Sequence, residues 1–241
     1  MLALSCEHTE YKGVFMKVFI FIILFILLFY FLFNSKKYDI RFNTFLKKGL
    51  PRIDDRFGVY FVTGRQGSGK TYYAIYLGLQ QVNFDASLAT IYTNIHSLKI
   101  PKANIKYFTH IEEVYYNTDE HCIFIVDEVS RKWDKNSKTD KQFYAFMNQC
   151  RKMKRILILI TQEWRELPMW LRRPAKFMIQ TKPTRVLNLF GIFTSCVGDA
   201  ENMVFDKDEG EYNCPPLKYV IYKRNKLIAD MYDTFEPINQ L

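Results

Sequence analysis

Metal-ligand patterns are missing from this chain. Its five cysteines, Cys6, Cys122, Cys150, Cys196 and Cys214, show no C-x-x-C spacing, and its four histidines, His8, His96, His110 and His121, are scattered. Those absences argue against a Cys/His zinc site and leave no histidine with a catalytic assignment. Internal repeats are lacking as well, and there is no low-complexity tract apart from one apolar run. Acidic residues are in deficit: 25 stand against 34 Lys and Arg, for a net charge of +9. That balance points to an anionic partner, either nucleic acid or a phospholipid surface. A Cys196–Cys214 bridge is compatible with an intervening hairpin, whereas a reducing compartment would favour free thiols.

One long hydrophobic run is present. From Val18 to Phe33 all 16 residues are apolar or aromatic, roughly 24 Å of helix at ~1.5 Å per residue. Adding Val14 to Lys17, with the lysine snorkelling, brings residues 14–33 to a length that can cross a ~30 Å hydrocarbon core. A buried strand is excluded by length, and no small-x-small site follows Phe33 to mark a cleaved leader. A transmembrane helix over 14–33 is therefore expected, preceded by a polar segment, 1–13, with Met16 as an alternative start of translation. Lys36, Lys37, Arg41, Lys47, Lys48 and Arg52 follow it. By the positive-inside rule, the basic linker 34–57 and all that follows it face the cytoplasm, at a host inner membrane or a virion membrane. The linker cations either touch anionic headgroups or belong to a solvated tether.

The domain proper is expected over 58–241. Its apolar strand Gly58–Thr63 runs into Gly64-Arg65-Gln66-Gly67-Ser68-Gly69-Lys70-Thr71, which matches G-x-x-x-x-G-K-[ST], the phosphate-binding loop of nucleotide hydrolases. Glycines let backbone N–H groups close on phosphate oxygens, and a following helix, expected over Tyr72–Val82, adds its positive end. Lys70 is assigned to the β- and γ-phosphates of ATP and Thr71 to Mg²⁺. A second run, Cys122-Ile123-Phe124-Ile125-Val126-Asp127-Glu128, reads as a buried strand delivering two acids to the carboxyl edge of a sheet. Asp127 is the metal residue and Glu128 the general base.

A strand expected over Arg155–Gln162 ends in Gln162, the candidate sensor of the γ-phosphate, with Thr161 as fallback. Arg151 is the first candidate for an arginine acting in a neighbour's site and Arg172 the second. Other strands are expected at Thr90–Ile95, 104–108, 176–180, 186–194, 218–223 and 227–232, and helices at 111–116 and 141–152. A polar, acidic loop or hairpin is expected over 198–216.

These residues resemble the zonular occludens toxin family and filamentous-phage assembly ATPases, relatives of the FtsK–HerA group of DNA-pumping motors and viral packaging ATPases. The likeness rests on Gly64–Thr71 with Tyr72-Tyr73-Ala74, Tyr92-Thr93-Asn94-Ile95, Asp127-Glu128, Thr161-Gln162 and Tyr232-Asp233-Thr234. It implies an α/β, RecA-like, additional-strand P-loop NTPase with a mainly parallel central sheet. The chain order agrees in that Thr90–Ile95 intervenes between the phosphate-loop strand and the acid-bearing strand. The resemblance also implies an ATPase acting as a homo-oligomeric ring, a hexamer by analogy, on DNA or virion proteins during genome packaging, virion assembly or extrusion. One departure stands out: the phage-assembly relatives carry their membrane span after the ATPase domain, and here it precedes it. The rival readings are a DNA-transfer motor of conjugation or segregation, a nucleotide kinase, and an adaptor that binds nucleotide and barely turns it over.

Overall fold

Six parallel strands side by side form the framework of the domain, and an antiparallel pair extends them. The computed structural model describes residues 18–27, 38–40, 57–182 and 191–233. They divide between two units, Met1–Tyr38 and Asp39–Leu241. In the first, residues 18–27 are helical with their apolar side chains exposed. The rest of the expected span, 14–33, lies outside the described residues, and among those described no helix is long and apolar enough to cross a membrane.

The strands are β1 (Tyr38–Ile40), β2 (Gly58–Thr63), β3 (Thr90–Thr93), β4 (Asn104–Tyr107), β5 (Cys122–Val126), β6 (Ile156–Thr161), β7 (Ala175–Lys182), β8 (Ile192–Asp199), β9 (Val204–Asp206), β10 (Glu211–Asn213) and β11 (Pro216–Lys223). Among the described residues nine of them form one sheet in the order β1-β11-β8-β7-β2-β6-β5-β3-β4. From β7 to β4 every pairing is parallel, while β8 runs antiparallel to both β7 and β11. Strands β2, β5 and β6 are buried along their whole length, as expected of strands covered on both faces.

The additional strand is thus present, but it is β6. In the sheet β6 lies between β2 and β5, whereas β3, which intervenes in the chain, lies on the far side of β5. One face is covered by helix α1 (Lys70–Phe84), whose Tyr72, Tyr73, Ile75, Tyr76 and Val82 are buried with Tyr60, Val62 and Ile158. The other carries Phe61, Phe124, Trp133, Phe143, Phe146 and Trp164, with α2 (Lys141–Gln149) among the elements packed there. Asp140 caps α2 by accepting from Gln142 N and Phe143 N, each at 3.1 Å, a contact worth about 1 kcal/mol.

Some boundaries differ from expectation. Helix α2 ends at Gln149, short of Lys152. The stretch expected as a strand at 227–232 instead opens with a one-turn helix, Lys226–Ala229, because the Asn225 side chain accepts from Leu227 N at 2.9 Å and starts a turn. Within the acidic insertion, β9 and β10 pair as a hairpin. Cys122, Cys150, Cys196 and Cys214 are all free thiols, so no Cys196–Cys214 bridge forms. Burial pushes Cys122, Cys150 and Cys214 up to about 12, which leaves them unreactive at neutral pH.

Candidate active site

The phosphate loop leaves β2 at a position that only glycine fits. Gly64 has φ +149°, and a Cβ there would lie 2.6 Å from Ser68 Oγ and 2.7 Å from Thr181 O. Gly67 and Gly69 take φ +74° and +85°, in the left-handed region that costs other residues about 1–2 kcal/mol. The loop is held from behind by hydroxyls. Ser68 Oγ is 2.6 Å from Thr181 Oγ1, which in turn donates to Thr63 O at 3.0 Å. Since the Thr181 proton is used on Thr63, Ser68 supplies the proton between the two hydroxyls.

Helix α1 then begins without a side-chain cap and with no acid in its first turn. Its leading N–H groups have no side-chain acceptor of their own, and they coincide with the positive end of the helix dipole. Arg65, Gln66 and Gly67 form the exposed tip. Lys70 folds over it and donates to Arg65 O at 3.2 Å. Burial lowers its pKa against the opposing pull of Asp127 and Glu128.

Those acids arrive from β5. Thr71 Oγ1 donates to Asp127 Oδ2 at 2.9 Å, and Glu128 N donates to Asp127 Oδ1 at 2.8 Å. Asp127 is 6% exposed, and burial lifts its carboxyl to about 6 despite the Thr71 and Glu128 hydrogen bonds and the Lys70 charge. Glu128 turns the chain out of the strand at φ 56° and pairs with Arg131. Behind them stands Asn94 of the Tyr-Thr-Asn-Ile run. Asn94, 4% exposed, donates from Nδ2 to Asp127 O at 3.0 Å and accepts from Asp127 N at 2.8 Å through Oδ1. It falls inside the strand expected over Thr90–Ile95, whereas β3 ends at Thr93 and leaves Asn94 just beyond it.

Two hard oxygen donors, Thr71 Oγ1 and Asp127 Oδ2, therefore stand side by side next to the phosphate loop. Among the described residues no group of three or more His, Cys, Asp or Glu side chains could hold a metal. One carboxylate, one hydroxyl and substrate phosphates are the donor set that suits Mg²⁺, which keeps several waters. The residues fit the ion.

Gln162 is exposed at the end of β6, and its carbonyl accepts from Gly64 N at 3.2 Å. Loop, acid pair and this candidate sensor thus meet at the carboxyl edge of β2, β6 and β5, while the Thr161 hydroxyl turns to Glu163 O at 3.5 Å. Arg151 lies elsewhere. Its side chain packs by Gly58 at the amino end of β2, and its guanidinium pairs with Glu201 at 3.3 Å. Arg172 is 6% exposed and lies over the Trp164 ring, so burial removes it as an arginine able to reach a neighbour. Arg155 is also buried, donating to Asp119 O and Asn117 O at 2.6 and 2.8 Å.

Residues 58–223 match the family model for zonular occludens toxin (Zot). The chain belongs to the Zot family. This Zot-family chain is also similar to solved structures. The N-terminal domain of zonular occludens toxin from Neisseria meningitidis is 20% identical, with a TM-score of 0.49, over 74% of this chain and 100% of that one. The genome packaging NTPase B204 of Sulfolobus turreted icosahedral virus 2, in complex with AMPPCP, is 14% identical, with a TM-score of 0.47, over 70% and 97%. The flagellar accessory protein FlaH of Methanocaldococcus jannaschii is 14% identical, with a TM-score of 0.43, over 69% and 84%. No curated protein matches the sequence significantly.

Proposed function

We propose that this Zot-family protein is an ATPase, anchored in a membrane by residues 14–33 and facing the cytoplasm. It hydrolyses ATP to move DNA or virion components during virus assembly. The observation that carries the hydrolytic reading is the 2.9 Å contact between Thr71 of the phosphate loop and Asp127 of the acid pair, with Glu128 the next residue. The apolar run followed by six cations supports the anchor, and the net charge of +9 supports a polyanionic cargo. Family membership supports a homo-oligomeric ring, a hexamer by analogy.

The residues divide the labour as follows. The Lys70 ammonium and the loop N–H groups up to Thr71, other than those of Gly64 and Ser68, which donate to Gln162 O and Arg65 O, bind the β- and γ-phosphates. Thr71 and Asp127 would hold Mg²⁺, which would supply charge neutralisation on those phosphates. Glu128, freed from Arg131, takes a proton from water as its oxygen bonds to the γ-phosphorus, and the bond to the β–γ bridging oxygen breaks to leave ADP and phosphate. Gln162 reports the γ-phosphate to the Gly64 backbone. Arg151 of a neighbouring copy neutralises transition-state charge.

ATP hydrolysis by the full chain, with and without DNA, tests this reading. Wild type should hydrolyse ATP faster with DNA, and Glu128→Gln should lose at least ~100-fold in kcat while still binding ATP. Phosphate transfer to a nucleoside would show a kinase instead. ATP binding with no turnover in wild type would show an adaptor. The anchor is tested by carbonate washing: deletion of 1–34 should release the protein from the membrane pellet, and retention would overturn it.

A further inference from the structure

A second cavity opens at the same carboxyl edge of the sheet, on the face opposite α1. It has a volume of about 650 Å³ and is lined by residues from the ends of β2, β6, β7 and β10. Thr63, Met178 and Trp164 belong to the aromatic face of the sheet, away from the side where α1 packs. It nevertheless shares Gly64 and Arg65 of the phosphate loop and the candidate sensor Gln162 with the nucleotide site. The hydrogen bond from Gly64 N to Gln162 O, at 3.2 Å, forms the partition between the two sites.

The lining is rich in donors. Arg65, Arg165 and Lys182 contribute three cations against one carboxylate, Glu163, and Gln162, Gln180 and Asn213 add amides. The orphaned groups nearby are donors but for Glu211 Oε2, which lies 3.8 Å from Arg165 Nε. The indole N–H of Trp164, 4% exposed, has no partner among the described residues, nor do Nε and Nη1 of Arg172, whose guanidinium lies 5.8 Å over the Trp164 ring. Arg165 is already held by Glu209 and Asn213 of the β9–β10 hairpin, which fixes one wall. With Arg165 paired to Glu209, Arg65 and Lys182 face Glu163, a lining that favours an anionic ligand made of acceptors, such as a phosphate ester.

We propose that this cavity seats a phosphate of a polynucleotide strand, so that cargo and ATP press on opposite sides of the Gly64–Gln162 partition. The proposal rests on the ATPase reading and names where its nucleic-acid cargo is engaged. Lys182 and Gln180 lie outside the nucleotide machinery and provide the test. In the full chain, Lys182→Ala combined with Gln180→Ala should leave DNA-free ATPase activity and thermal stability unchanged. Fluorescence anisotropy with a labelled single-stranded oligonucleotide should show about tenfold weaker binding, with the salt slope smaller by about 0.7, and stimulation of hydrolysis by DNA should vanish. Unchanged affinity and salt slope in the double variant would overturn the proposal. So would displacement of the oligonucleotide from wild type by inorganic phosphate or AMP at matched phosphate concentration, which would make the cavity a site for a free effector. Loss of DNA-free hydrolysis in wild type would instead strike the ATPase reading itself.

Discussion

The parallel and antiparallel parts of the sheet differ in what they expose and in what they carry. Strands β2, β5 and β6 are buried throughout, and each is followed directly by a residue of the candidate active site: Gly64, Asp127 and Gln162. Strand β8 alternates between buried and half-buried positions and bears none of the expected catalytic residues. Its contribution is support. Phe193 stacks with Tyr72 and Tyr222 at 6.4 and 5.7 Å, and Tyr72 Oη accepts from Asn225 N at 2.8 Å. The first turn of α1 therefore leans on an aromatic wall built by the antiparallel strands. The candidate site lies at the ends of strands covered on both faces, and the half-buried antiparallel strands brace it.

That division can be broken at either end. The largest effect is expected from Phe193→Ala, which empties the wall and should lower unfolding free energy in denaturant titrations by about 3 kcal/mol, with KM for ATP raised more than kcat is lowered. A fall in kcat alone would place Phe193 in the chemistry instead. Asn94→Ala strands the buried N–H and C=O of Asp127 and should cost about 2–3 kcal/mol. Here kcat should fall as well, because the strand end that aims Asp127 and Glu128 loosens.

Asp127→Asn should act in the opposite direction on stability. Its carboxyl titrates at about 6 when folded against an ordinary 3.8. Between those values the folded chain keeps a proton that the unfolded chain has shed, so stability falls as pH rises from about 4 to 6 and stays lower above. The neutral variant should melt later than wild type at pH 7, by on the order of 1 kcal/mol, with no gain near pH 4, and it should lose Mg²⁺-dependent hydrolysis. The smallest effect belongs to Arg151→Ala. Its pair with Glu201 is exposed and should contribute under about 1 kcal/mol, so a large drop in kcat with unchanged melting would mark it as the arginine acting in a neighbour's site.

Legibility in the sequence follows the same division. Continuous apolar runs such as Gly58–Thr63 and Ile156–Thr161 advertise strands buried on both faces, and G-x-x-x-x-G-K-T fixes its own backbone through glycines. Lys226–Ala229 was harder because a short apolar stretch fits either period, and Asn225 decided it by capping. Pairings across long separations were hidden altogether. Asn94 meets Asp127 33 residues on, and Thr181 reaches Ser68 across 113. No local pattern records which strand will become a neighbour, so β6 could not be placed between β2 and β5 from its own residues.

Asn94 also determines where the sheet ends. Strand β3 pairs with β5 as far as Thr93 opposite Ile125, after which its backbone turns away. The side-chain amide of Asn94 then offers Asp127 one acceptor and one donor, as a peptide group would. It is a further rung made without main chain. The ladder reaches the acid pair while the segment beyond β3 is released from the sheet. Insertions after Asn94 can therefore lengthen that segment without shifting the register of Asp127.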